Sequence, residues 1–161
     1  MAIKITLPAE WIDKLQISPV QKVIEQLLAE GAHASSEQQL SFQIDYPRSP
    51  EDPRELSEIP EVRLWFIRLD TVYPWLPFLL DWRSGELARY AAMLVPHEFH
   101  RTEGIQYNPE ALEIFVMAKI FVLRDWMARQ GIESQSRLKS MAQMFGYELD
   151  DDFFELIATQ S

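Results

Sequence analysis

The sequence predicts an α+β fold: a single domain over residues 1–161, with a small antiparallel sheet packed against one long central helix and additional short helices. Two segments, 3–7 and 40–46, alternate apolar and polar residues in the way that half-buried strands do. A longer segment, about 109–130, has apolar residues at helical spacing on more than one side, as expected of a helix packed against a sheet. A length of 161 residues suits one domain.

The first helix is predicted over residues 19–30. Ser18 is placed to cap its amino end, Pro19 suits the first turn, and Gly31 is placed to end it. Between these positions apolar residues recur at helical spacing: Val20, Val23, Ile24, Leu27 and Leu28. The first 46 residues are therefore predicted to form a strand, a helix and a second strand.

The middle of the chain is predicted to complete the sheet. Residues 47–60 hold four prolines among charged residues, which predicts a loop with one helical turn. Residues 62–69 are apolar on both alternating faces, as is typical of a central strand. After two further prolines, residues 78–82 predict another strand.

The remaining helices are marked mainly by their caps. A helix is predicted over about 86–94, after a turn that contains Gly85. Asn108 is placed to open the long helix. Two shorter helices follow, over about 135–145 and about 151–158. Asp150 is placed to cap the last of them.

Composition excludes several classes of function. The formal net charge of −10 opposes binding to nucleic acid and to anionic lipid. The absence of cysteine excludes disulfides, thiolate nucleophiles and cysteine-held iron–sulfur clusters. No run of about 18 apolar residues exists that could span a bilayer. The amino-terminal segment has neither a signal-peptide nor a transit-peptide pattern.

The sequence has no strong motif for metal, nucleotide or nucleophilic chemistry. Its histidines are His33, His97 and His100, and the last two lie three apart in a predicted loop, whereas metallopeptidases place two histidines four apart on a helix. No Gly-x-Ser-x-Gly segment is present, and the five glycines are too dispersed for a phosphate-binding loop. We therefore expect no metal site, no cofactor and no catalytic residues.

Arginine and tryptophan are concentrated in residues 61–130. Seven of the eight basic residues there are arginines, and four of the five tryptophans of the chain lie there as well. Both side chains bury large planar surfaces while keeping directional polar groups, so their combination is typical of protein-recognition surfaces. The same composition also suits a core with paired arginines at its rim.

Within this region we predict a protein-binding site. Glu86, Arg89 and Tyr90 share one face of a predicted helix, because they lie three and four residues apart. The segment just before it places an aromatic ring between two opposite charges. The predicted site consists of Arg63, Arg68, Trp75, Asp81, Trp82, Arg83, Glu86, Arg89 and Tyr90.

Two other functions remain open from the sequence. The first is a small-molecule enzyme that uses Asp70, Asp81 or Glu86 as an acid–base group, with an arginine as a substrate anchor. Arginines within a few residues of each acid favour structural ion pairs over catalysis. The second is a self-associating structural protein, in which the same surface binds a second copy.

Four segments of the chain resemble a known family. They are Ile59–Asp70, Tyr73–Pro77, Leu80–His97 and Tyr107–Glu113, which are rich in aromatic, proline and arginine residues. Together they resemble the chlororespiratory reduction 6 family of oxygenic phototrophs. The resemblance extends over about residues 40–130.

This resemblance implies a soluble, non-catalytic assembly factor for the photosynthetic NAD(P)H dehydrogenase-like complex. Family members are thought to act on an unassembled subunit of the hydrophilic arm, especially the ferredoxin-like iron–sulfur subunit. They lie in the chloroplast stroma or the cyanobacterial cytoplasm. Because the chain has no transit-peptide pattern, we expect the bacterial setting or a mature plastid form.

Overall fold

The computed structural model describes residues 2–30, 39–100, 102–133 and 135–159. Its contacts divide the chain into two compact units, Met1–Leu112 and Glu113–Ser161. Helices predominate over short strands, which confirms the predicted mixture of helix and strand with small sheets. That the whole chain forms a single domain stays a prediction.

The first sheet has two strands, β1 (Ala2–Pro8) and β2 (Gln39–Asp45). Both strands were predicted, but they pair in parallel, with Ile5 opposite Phe42, and not in the predicted antiparallel sense. Parallel neighbours need a long crossover connection, and the described part of this one, residues 9–30, contains two helices, α1 (Ala9–Asp13) and α2 (Ser18–Ala29).

Helix α2 confirms the predicted helix to within one residue at each end, with Pro19 in its first turn. Its cap differs from the prediction. Ile17 occupies the cap position without a side-chain hydrogen bond, and Ser18 is the first helical residue. The predicted terminating residue, Gly31, lies outside the described residues.

The segment predicted as a central strand is helix α3 (Pro60–Val72), so that prediction is wrong. Proline suits the first helical position, because its fixed φ angle and missing N–H cost nothing there. The buried residues follow a helical period at Val62, Trp65, Phe66 and Leu69. Apolar residues on the opposite face, such as Leu64 and Ile67, concealed that period in the sequence.

The predicted strand at 78–82 is also wrong. Two short 3-10 helices, Leu76–Leu79 and Trp82–Ser84, occupy this region, and only Leu80 forms a single parallel bridge to Leu40. Proline lacks an N–H donor and therefore disfavours a continuous ladder here. The helical turn predicted in the preceding loop is the 3-10 helix Leu56–Glu58.

Helix α4 (Glu86–Leu94) confirms the prediction. Where a loop was predicted after it, β3 (His97–His100) and β4 (Gly104–Tyr107) form an antiparallel hairpin. Gly104 has a φ angle of 75°, a conformation that most other residues adopt only with strain.

The three carboxy-terminal helices were all predicted: α5 (Pro109–Arg129), α6 (Gln135–Met144) and α7 (Asp151–Thr159). Two predicted caps are confirmed, since Asn108 Oδ1 accepts from the Ala111 N–H at 3.0 Å and Asp150 Oδ1 from the Phe153 N–H at 2.9 Å. None of the described helices combines the length and the apolar character that crossing a bilayer would require.

Candidate functional site

An aromatic cluster holds α3 in the core of the first unit. Trp65 lies edge-to-face against Phe66 and Phe42, with ring centroids 5.1 and 6.2 Å apart. Its indole Nε1–H donates to the Gln16 carbonyl at 2.9 Å, so its polar atom is satisfied although the side chain is fully buried. This indole therefore belongs to the core.

Tyr90 is also part of this core, although the sequence placed it at the binding site. It is 1% exposed, and its hydroxyl donates to Asp70 Oδ1 at 2.6 Å. Burial, with the Asp70 carboxylate next to it, raises the pKa of Tyr90 far above its ordinary value. A partner that binds the surface of the folded chain does not reach this ring.

Glu86 and Arg89 bind the backbone of β2. Arg89 Nη1 donates to the Phe42 carbonyl at 2.6 Å and to Glu86 Oε1 at 3.1 Å, while the Glu86 side chain accepts from the Phe42 N–H. Burial raises the pKa of Glu86, which is 5% exposed, and the Arg89 charge opposes that shift. The N–H and C=O groups of Phe42 point away from β1. Glu86 and Arg89 therefore supply the hydrogen-bond partners that these two backbone groups need.

In the segment just before α4, Asp81 and Trp82 form side-chain hydrogen bonds to described residues and Arg83 does not. Asp81 Oδ1 accepts from the Arg83 N–H at 3.2 Å, and the Asp81 N–H donates to the Leu40 carbonyl at 2.8 Å. Trp82 is half-buried, and its Nε1–H donates to the Pro77 carbonyl at 2.7 Å. The Arg83 guanidinium is exposed and has no hydrogen bond or ion pair to any described residue.

The other predicted residues lie on or just after α3. Arg63 is half-buried, and its Nε–H donates to the Met93 carbonyl at 3.3 Å. Trp75 is half-buried, with its ring 5.5 Å from that of Tyr73. Arg68 is exposed, and its guanidinium contacts no acceptor among the residues that the structure describes.

Arg68 also borders a shallow groove of about 300 Å³ between α3 and the start of α2. The groove is lined by two basic residues and no carboxylate; the lining residues are Lys14, Leu15, Gln16, Ile17, Ser18, Gln21 and Arg68. Leu15 has a φ angle of 51°, the left-handed region that bulky residues rarely adopt. This groove could not be predicted from the sequence, because its walls come from segments about 50 residues apart.

The acidic residues considered for catalysis have separate partners. Asp70 binds the Tyr90 hydroxyl, Asp81 caps a 3-10 helix, and Glu86 pairs with Arg89. Each carboxylate therefore has a local contact that accounts for its position. This arrangement does not favour the enzyme alternative.

One contact resembling catalytic chemistry was not foreseen. Ser57 Oγ lies 2.9 Å from His97 Nε2, and His97 Nδ1 lies 2.9 Å from the Val95 carbonyl. Ser57 is only 2% exposed, so a substrate carbonyl has no access to its hydroxyl in this conformation. No local motif pointed to the pair, because the two residues are 40 positions apart.

Metal binding has no support in the described part of the chain, where no group of three or more histidine and acidic side chains is placed to hold an ion. His33 lies outside the described residues. The predicted absence of a metal and of a cofactor stays a prediction.

The structure sorts the nine predicted site residues, all in the first unit, by exposure. Glu86 and Tyr90 are buried, and Arg68 and Arg83 are exposed. The other five are half-buried: Arg63, Trp75, Asp81, Trp82 and Arg89. Direct contact with a partner is therefore open to the two free arginines and the two half-buried tryptophans, while the buried residues support the fold beneath them.

Comparison with known proteins identifies the family. No solved structure matches the chain. The model of the family described as chlororespiratory reduction 6 matches residues 7–156, which is nearly the whole sequence and extends well beyond the segments that carried the resemblance. The chain belongs to the chlororespiratory reduction 6 family.

Proposed function

We propose that this protein is a non-catalytic assembly factor for the photosynthetic NAD(P)H dehydrogenase-like complex. It binds an unassembled subunit of the hydrophilic arm, the ferredoxin-like iron–sulfur subunit. It acts in the cyanobacterial cytoplasm, or in the chloroplast stroma if the chain is a mature plastid form. Membership of the chlororespiratory reduction 6 family over residues 7–156 is the observation that carries this proposal.

The exposed side chains of the first unit support a binding role. Arg83 and Arg68 present guanidinium groups that bind no described residue and are free to pair with carboxylates of a partner. Trp75 and Trp82 are half-buried, so each is held by the fold while part of the residue stays accessible to solvent. Anchored aromatic rings beside arginines are the residues that dominate the energetics of many protein interfaces.

The physical task would be to cover surface of the subunit until its permanent neighbours bind. The chain has no cysteine, so it can shield an iron–sulfur cluster but cannot ligate one through thiolate. Binding would then be reversible and would depend on side-chain contacts alone. A second copy of the chain competing for the same surface would appear as concentration-dependent sedimentation.

The test is capture of the purified iron–sulfur subunit by the full chain, measured as a dissociation constant. We expect wild-type capture and about tenfold weaker capture by Arg83→Glu, since one interface ion pair is replaced by repulsion. Lys4→Glu is the matched control, because Lys4 is also exposed and the substitution changes the net charge equally. Circular dichroism checks that both variants stay folded.

The outcomes are distinct. Absence of capture by the wild-type chain would contradict the proposed function. Wild-type capture that Arg83→Glu leaves unchanged would remove Arg83 from the interface. Arg89 is not a suitable probe, because its reversal would leave the Phe42 carbonyl without its donor and place a second carboxylate beside Glu86.

A further inference from the structure

We infer that the exposed face of α3 and the groove beside it form a docking surface for an acidic, amphipathic helix of the partner. The inference rests on the proposed function for the identity of the partner, and it adds the chemistry of the bound segment. We call the residues of α3 that are exposed from Leu64 onward the α3 surface: Leu64, Ile67, Arg68, Thr71 and Val72. Glu61, in the first turn of α3, is also exposed and lies outside this surface.

The α3 surface is unusually apolar for a helix face in contact with water. Leu64 is 52% exposed, Ile67 42% and Val72 44%. Leu64, Ile67 and Thr71 lie three and four positions apart, so they form one stripe along the helix that faces away from the buried residues. Val72, five positions after Ile67, lies at the side of this stripe, beyond Arg68. A solvated helix face is normally polar, and exposed apolar neighbours such as Leu64 and Ile67 are typical of an interaction surface.

The basic residues of the α3 surface and of the groove indicate which kind of partner segment would bind there. Arg68 is part of the α3 surface, and its guanidinium binds no described residue. The other basic residue of the adjoining groove, Lys14, forms an ion pair with Glu10 at 3.1 Å, so Arg68 is the groove cation that no described residue pairs. In a protein with a net charge of −10, this guanidinium beside exposed Leu64 and Ile67 favours a segment that carries both a carboxylate and apolar side chains.

The backbone at Leu15 gives an independent indication that the groove is functional. At the end of α1, the Gln16 N–H donates to the Trp11 carbonyl and the Leu15 N–H to the Ile12 carbonyl, the bonding pattern that usually places glycine at the position of Leu15. Leucine there holds a φ angle of 51° and lines the groove. Strained positions of this kind cluster at binding sites and persist where the surrounding structure holds them in place.

A helix is the segment that fits this surface. The α3 surface from Leu64 to Val72 extends over about 12 Å, or about two helical turns, at 1.5 Å per residue. Side chains spaced three and four apart form ridges that pack into the grooves between the side chains of a second helix. An extended strand would instead require an open sheet edge, which a helix face does not offer.

Capture of the iron–sulfur subunit by variants of the α3 surface tests the inference. We expect Arg68→Glu and the pair Leu64→Gln with Ile67→Gln each to weaken capture about tenfold or more, because they remove the charge and the apolar contact respectively. The control is again Lys4→Glu, with unchanged circular dichroism required of every variant. Reversal of one carboxylate on the bound helix to lysine should restore capture by Arg68→Glu.

The failure of this inference differs from the failure of the proposed function. Absence of capture by the wild-type chain would overturn both. Wild-type capture that survives Arg68→Glu and the double glutamine variant would overturn the docking surface alone. So would loss of capture in Arg68→Glu that no single carboxylate reversal in the partner restores.

Discussion

The two faces of helix α3 differ sharply in how far their apolar residues are exposed to solvent. One face buries Val62, Trp65, Phe66 and Leu69, none of them more than 1% exposed. The other leaves Leu64, Ile67 and Val72 between 42% and 52% exposed. Both faces carry apolar residues, but only one packs into the core. The difference teaches that core packing does not account for the exposed apolar residues, for which the proposed docking surface offers an explanation.

The arginines of the same region divide in the same way. Arg89 and Arg63 donate to backbone carbonyls of the chain itself and are half-buried. Arg68 and Arg83 are exposed, without a partner among the described residues. The arginines of this region therefore include some that bind the chain itself and some that bind no described residue, and a recognition role for the latter stays a prediction.

The largest predicted effect tests the buried face of α3. Trp65→Ala should lower the free energy of unfolding by about 4 kcal/mol, because it removes a fully buried ring and leaves a cavity. Leu64→Ala, one residue earlier on the exposed face, should change it by less than about 0.5 kcal/mol. Urea denaturation measures both, and equal costs would contradict the division into two faces.

The next largest effect on stability concerns a buried side chain at the start of α4, Glu86, and an exposed one just before it, Arg83. Glu86→Ala should cost about 2 kcal/mol, because the Phe42 N–H loses its acceptor in a buried site. Arg83→Ala should be nearly neutral, within about 0.5 kcal/mol, since its guanidinium contacts no described residue. Thermal unfolding at neutral pH distinguishes the two, and a large cost for Arg83→Ala would show that Arg83 supports the fold.

A smaller effect depends on pH. Tyr90→Phe should cost about 1 kcal/mol at neutral pH, through loss of the hydrogen bond to Asp70. The pKa of Tyr90 is raised in the folded state, so above about pH 10 the unfolded chain releases a proton that the folded chain keeps, and stability falls as pH rises. The variant should lose stability less steeply above that pH.

In Tyr90→Phe the loss of folding stability above about pH 10 should be smaller than in the wild type, but it should not disappear. Burial also raises the pKa values of Tyr46, Tyr73 and Tyr107, which contribute in the same direction. Denaturant titrations from pH 8 to pH 11 compare the slopes. Parallel curves for the two proteins would contradict the assigned burial of Tyr90.

The smallest predicted change in stability tests the groove. Leu15→Gly should leave the free energy of unfolding within about 1 kcal/mol of the wild type, because relief of left-handed strain offsets the lost apolar contact and the added backbone entropy. Capture of the iron–sulfur subunit should nevertheless weaken, since the groove loses its leucine. Equal capture would mean that Leu15 has no part in binding.

The elements that could be predicted from the sequence carry their own local signals. The alternation in β1 and β2, the proline start of α2, and the asparagine and aspartate caps of α5 and α7 are determined by a few neighbouring residues. The parallel pairing of the strands was missed, because it depends on how the helical connection returns the chain to the sheet.

The errors in the middle of the chain have a common cause. In α3 the helical period was present at Val62, Trp65, Phe66 and Leu69, but apolar residues on the exposed face made the segment resemble a buried strand. The residues that misled the secondary-structure prediction are those that now form the α3 surface. Likewise, the polar groups of buried Tyr90 and Glu86 are satisfied by Asp70 and Phe42, partners that are distant in sequence.

The most direct test of the account is hydroxyl-radical footprinting of the full chain, alone and with the iron–sulfur subunit. Alone, Leu64 and Ile67 should be oxidised readily, while the buried Leu69 is protected. In the complex, oxidation of Leu64 and Ile67 should fall several-fold, while exposed Leu156 in the second unit serves as the reference for reagent dose. A stable complex in which Leu64, Ile67 and Trp82 are oxidised as in the free chain would contradict the account.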